Sequence, residues 1–80
     1  MNVVNLTEFL VKSVSKKPDM ISVKIIEDDD NFIIQVMVPS DEIATIIGKN
    51  GVIASSIRNI VNLAAYNEGL SNVKVMIDSF

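Results

Sequence analysis

The 80-residue chain contains no cysteine and no histidine. Their absence excludes disulfides, thiolate nucleophiles, imidazole acid–base catalysis, the common zinc sites and haem ligation through either side chain. No nucleophile–base pair or cluster of metal-binding residues stands in for them, so no catalytic residue, no metal site and no cofactor is expected, and the chain reads as a non-enzyme. Tryptophan is also missing, and there are only three glycines and two prolines. Each of these few breakers therefore marks a definite stop or turn. No run approaches the roughly 18 uninterrupted apolar residues of a membrane helix. The segment from Met1 to Leu10 carries Glu8 and lacks a positive region ahead of an apolar run. Neither a membrane span nor a signal peptide is expected, which points to the cytoplasm.

What the chain does have is apolar: hydrophobic residues make up 49% and charged residues 21%. That is enough for one small core, read as a single domain over residues 1–80 and held by packing alone or helped by a partner chain. A net charge of −3 argues at first against an anionic partner. The acid is segregated, however. Glu27, Asp28, Asp29 and Asp30 are consecutive, and setting them aside turns −3 into +1. Between Ile43 and Asn67 there is no acidic residue, while Lys49 and Arg58 are both basic. The acidic run reads as a solvated hairpin tip, because the spacing and terminal Glu of a calcium loop are missing.

Along the chain, Leu6, Phe9, Leu10 and Val14 fall at helical spacing over roughly residues 4–16. Asn5 is the expected N-cap, Lys16 and Lys17 suit the C-terminal end, and Pro18 stops the helix. The segment from Ile21 to Ile26 alternates as a strand, Asp28 to Asn31 has turn chemistry, and Phe32 to Val38 is a more buried strand. The two should pair as a hairpin. Ser40 is the expected N-cap of a short helix, with Asp41 and Glu42 in its first turn and Ile43, Ile46 and Ile47 as its apolar face. After the Gly48–Gly51 interruption a longer helix runs from about Val52 to Asn67, and Gly69 ends it. Val73, Val75 and Ile77 alternate in a last strand. Met1 reads as an initiator, and Met20, Met37 and Met76 read as gap-fillers in the core or at its edge. The order is α-β-β-α-α-β, an α+β fold with helices on one face of a three-stranded sheet.

The most informative stretch is Ile46-Ile47-Gly48-Lys49-Asn50-Gly51-Val52-Ile53. The phosphate-loop pattern of nucleotide hydrolases is absent. Two glycines without Cβ atoms let the backbone approach a phosphate chain. The N-terminus of the following helix favours an anion at the same place, Lys49 adds a mobile positive charge, and Asn50 can donate a hydrogen bond. Bases could lie against Ile43, Ile46 and Ile53. Spacing alone is equally compatible with a plainer role, in which Gly48 caps one helix and Gly51 permits a tight helix–helix corner.

Ile46-Ile47-Gly48-Lys49-Asn50-Gly51, continued by Ile53-Ala54, Ile57-Arg58 and Val61, resembles the IGKxG-xIAxxIR signature of small stand-alone bacterial KH domains, the KhpA/YlqC family of type II KH fold. The resemblance spans essentially the whole chain. It implies a single-stranded RNA-binding protein in which Gly48, Lys49, Asn50 and Gly51 clamp the RNA backbone, with Ile47 beside them and Arg58 as a phosphate contact. It further implies pairing with a second copy or with a larger RNA-binding protein of the KhpB/Jag type, and bacterial roles in RNA chaperoning and in growth and division. Two features depart from the family pattern. Val52 stands where a basic residue often follows the second glycine, and residues 55 and 56 are both serine. With no aromatic side chain near the loop in sequence, modest affinity and low sequence specificity are expected.

On the long helix, Ile53, Ala54, Ile57, Ile60, Val61, Ala64 and Ala65 span an arc of roughly 140° and form the expected sheet-facing side. Leu63 and Tyr66 fall outside it, among Asn59 and Asn62. They are either ordinary exposed residues or the apolar anchors of a dimer contact. The second reading defines the alternative function, a protein–protein dimerisation module of KH fold with little RNA binding of its own.

Overall fold

The computed structural model describes residues 2–70 and 72–80. Helix α1 covers Val3–Val14, strand β1 Ser22–Asp28, strand β2 Asn31–Val38, helix α2 Ile43–Ile47, helix α3 Val52–Asn67 and strand β3 Val73–Ser79. Short 3-10 turns lie at Pro18–Met20, Ser40–Glu42 and Lys49–Gly51. The α-β-β-α-α-β order is the one expected. Strands β1 and β2 pair antiparallel, with Ile25 opposite Ile34, and β2 and β3 pair parallel, with Ile34 opposite Val75. The sheet order β1-β2-β3 leaves β3 at an edge.

Alternation puts Ile34, Val36 and Val38 of β2 and Val75 of β3 on the inner face, where they are buried against Val3 and Val11 of α1, Ile46 of α2, and Ile57, Val61 and Ala65 of α3. A central strand covered by helices on one side explains why β2 is more apolar than its neighbours. The Asp29-Asp30 tip closes the hairpin, and Asp29 takes a positive φ of 54° that Asp tolerates better than most residues.

Several local expectations are corrected. Helix α1 is capped by Asn2, whose Oδ1 accepts from the Asn5 N–H at 2.9 Å, so Asn5 is already helical. The helix ends at Val14, before Lys16 and Lys17. Its core face is Val3, Thr7 and Val11, and Phe9 points outward at 61% exposure. The reason is that Thr7 donates its hydroxyl to the Val3 carbonyl within the helix, which lets a polar residue pack as an apolar one and rotates the buried stripe. Ser40 caps nothing: it opens a 3-10 turn, and α2 begins only at Ile43. On α3, Ile60 is 44% exposed and leaves the sheet-facing side. Met20 and Met76 are exposed and Met37 is half-buried on the open face of the sheet, whereas Met1 lies outside the described residues.

Candidate nucleic-acid interface

Helix α2 ends at Gly48, whose N–H donates to the Ala44 carbonyl at 2.9 Å. There the chain needs φ +80° and ψ 170°, a region open essentially to glycine alone. One tight turn follows, closed by the Gly51 N–H on the Gly48 carbonyl at 3.1 Å. Asn50 at φ 58° and Gly51 at φ 74° both take left-handed conformations, and α3 starts at the next residue. The loop is thus a rigid corner between two helices. The backbone N–H groups of Lys49 and Asn50 donate to no other backbone group among the described residues. No side chain caps the start of α3.

These features converge on one place. The N-terminus of a four-turn helix carries partial positive charge; its Val52 N–H is taken by the Lys49 carbonyl, and the Lys49 and Asn50 amides lie beside it. Lys49 and Asn50 are exposed, and Lys49 takes part in neither of the two ion pairs found among the described residues, Lys12–Glu8 and Lys17–Asp41. A Cβ placed on Gly51 would meet nothing within 4 Å, so the backbone there is open to a ligand.

Ile47 is half-buried next to the loop, as are Ile43 and Ile53. Ile46 is fully buried in the core and offers no surface to a base, which corrects its expected place in the groove. Arg58 lies seven residues beyond Gly51, about 10 Å along α3. Its Nε donates to the Val75 carbonyl at 3.2 Å, on the free edge of β3. Arg58, Asn62 and the stretch Val73–Ile77 line an open groove of about 400 Å³ between α3 and that edge. Loop and groove therefore follow one side of α3. The β3 edge was not legible as part of the site, because strand order follows from pairing and leaves no local signal.

Of the expected dimer residues, Asn59, Leu63 and Tyr66 are exposed on the side of α3 away from the core, whereas Asn62 turns toward the Arg58 groove. Val52 and Ile60 join the exposed set, at 60% and 44%, beside Leu63 at 66% and Tyr66 at 80%. Every other exposed residue of α3 is Ser or Asn, so this helix shows solvent an uncharged face.

Comparison with known proteins adds four findings. Residues 4–77 match the family model described as the KhpA/KhpB KH domain. The RNA-binding protein KhpA of Clostridium perfringens is 33% identical over 73 residues, covering 91% of this chain and 93% of that protein. Its counterpart from Borreliella burgdorferi is 34% identical over 64 residues, covering 80% and 78%. Among solved structures, Aquifex aeolicus Era bound to GDP and aluminium fluoride superposes with a TM-score of 0.71 at 18% identity. The match covers 98% of this chain and 30% of Era, and it bears on the fold alone.

Proposed function

The chain belongs to the KhpA/KhpB KH-domain family, and from that premise we propose that it binds single-stranded RNA by clamping the nucleic-acid backbone at residues 48–51. One observation carries this reading: the loop sets the Lys49 and Asn50 backbone amides, the exposed Lys49 side chain and the start of a four-turn helix that no side chain caps at a single corner. Phosphate oxygens there would accept from the loop amides, with Lys49 adding charge and Asn50 a further donor. Arg58 extends the path toward the β3 edge, where bases could meet the groove wall of Val73–Ile77. The protein acts as a small cytoplasmic RNA-binding adaptor or chaperone and catalyses nothing.

The test is binding of labelled single-stranded RNA by the wild type and by a Lys49→Asp plus Asn50→Asp variant, at two salt concentrations. Circular dichroism first checks that both are folded. Binding by the wild type that the variant loses supports the clamp. Equal binding by both, or binding by neither, overturns it.

The uncharged outer face of α3 favours a second reading, self-association or pairing with a KhpB/Jag-type protein through Val52, Asn59, Ile60, Leu63 and Tyr66. Two such faces related by a two-fold axis bring no like charges together. Both readings coexist in one molecule when the contact centres on Leu63 and Tyr66, away from the 48–51 corner that Val52 adjoins. If RNA binding fails and the chain still dimerises, the dimerisation-module reading takes its place.

A further inference from the structure

Glu42 is the one charged residue buried among the described residues, at 3% exposure, and it lies outside the loop. Its carboxylate accepts the Ser15 hydroxyl and, at 2.6 Å, the Lys16 backbone N–H. Ser15 is the C-cap of α1, and its Oγ in turn accepts the Lys17 N–H at 2.9 Å. Beside this contact, Lys17 Nζ pairs with Asp41. Two adjacent carboxylates therefore hold the exit of α1 against the entry of α2, across 26 residues of sequence.

Helix α2 has only five residues, too few to hold its own direction. Its placement comes from what grips it. Ile46 anchors its middle in the core, Glu42 docks its first end on α1, and its last residue runs into Gly48. From Glu42 to Gly48 is about 9 Å of helix, so a tilt at the first end moves the corner at the other.

We propose that Glu42 is a positioning residue for the 48–51 loop: by fastening the entry of α2 to the Ser15–Lys17 segment, it sets the geometry in which the loop amides face a ligand. Its effect on RNA rests on the clamp reading, whereas its effect on loop geometry does not. The Ser15 hydrogen bond, against some desolvation, and the Lys16 and Lys17 N–H groups keep this carboxyl below the ordinary glutamate range, so it is ionised and accepting at neutral pH.

The test compares Glu42→Gln with Val3→Ala, a buried change at the far end of α1, at a temperature where melting curves show both fully folded. Gln keeps the shape and one acceptor oxygen but turns the other into an amide donor, so the charged two-point acceptance of Ser15 and Lys16 is lost. The first readout is hydrogen exchange at the Gly48 and Gly51 amides, which are bonded to Ala44 and Gly48. The second is single-stranded RNA affinity. Glu42→Gln should speed exchange at both glycines by about tenfold over Val3→Ala and weaken RNA binding by about threefold. Equal exchange in the two variants overturns the proposal. Should the wild type bind no RNA, the clamp reading falls and the exchange comparison alone decides the positioning role. Should Glu42→Gln fail to fold, Ser15→Ala removes one donor and leaves the carboxylate in place. It should then speed Gly48 exchange by about threefold, and no change over Val3→Ala overturns the proposal.

Discussion

Gly48 lies so close to Ile53 that a Cβ built on the glycine would stand 2.7 Å from Ile53 Cγ1 and 2.9 Å from its Cβ. The first residue of the loop and the second residue of α3 are thus in direct contact across the corner. Gly48 is required twice over, by its positive φ and by the lack of room, whereas Gly51 is required by φ alone.

The two glycines should accordingly differ on substitution. Gly51→Ala costs about 1–2 kcal/mol from left-handed backbone strain. Gly48→Ala adds overpacking of about 1–3 kcal/mol against a β-branched side chain that cannot swing away. Urea unfolding of both variants checks the order. A Gly48→Ala variant as stable as Gly51→Ala would mean the corner yields easily.

If Lys49 neutralises one phosphate, its removal has a signature in salt. For single strands, log affinity falls with log salt by about 0.7 per phosphate contact. Lys49→Ala should flatten that slope by about 0.7 and weaken binding similarly across RNA sequences. A titration series in potassium chloride measures it, and an unchanged slope would remove Lys49 from the contact.

Acid should loosen the junction between α1 and α2. The Ser15 hydrogen bond leads in holding Glu42 below its ordinary 4.5, and the Lys17 hydrogen bond leads in holding Asp41 below 3.8. A depressed carboxyl stabilises the fold above its unfolded value and loses that contribution as pH falls through the folded one. Thermal midpoints of the wild type and Glu42→Gln should therefore converge below about pH 4 and stay parallel between about pH 5.5 and 7. Asp41 is exposed and contributes little at physiological salt. A constant gap down to pH 3 would show that Glu42 carries no acid-sensitive stability.

The outer face of α3 makes a prediction independent of RNA. If it joins two chains, Leu63→Glu buries an unpaired charge at the contact and should yield a monomer with an unchanged circular dichroism spectrum. Sedimentation velocity of both proteins at several concentrations decides it. A wild type that is monomeric throughout excludes self-association by this face.

Much of this was legible residue by residue. Strand alternation located β2 and β3 because the period of two is local, and Gly69 ended α3 where its φ of 77° makes glycine the favoured residue. The loop at residues 48–51 was legible too, since glycine spacing and flanking isoleucines lie together in sequence. Phe9, Ile60 and Glu42 were misread in different ways: Thr7 takes the buried place on α1 and turns Phe9 outward, Ile60 falls at the solvent edge of α3, and Glu42 finds its partners on a distant segment. Glu42 looked like a helix-start carboxylate, yet its partners are 26 and 27 residues away.

The elements, their order, the solvated acidic tip and the Gly48–Gly51 corner between two helices were all readable from the chain, because these depend on backbone preferences and on neighbours a few residues apart. Only the tertiary structure decided that β3 is an edge lying along Arg58, that α3 keeps an uncharged face outward, and that the short α2 is steered by a buried carboxylate fastened to α1. Those features come from pairing and packing between segments far apart in the chain, where burial can favour a hydrogen bond or a contact that no local pattern encodes.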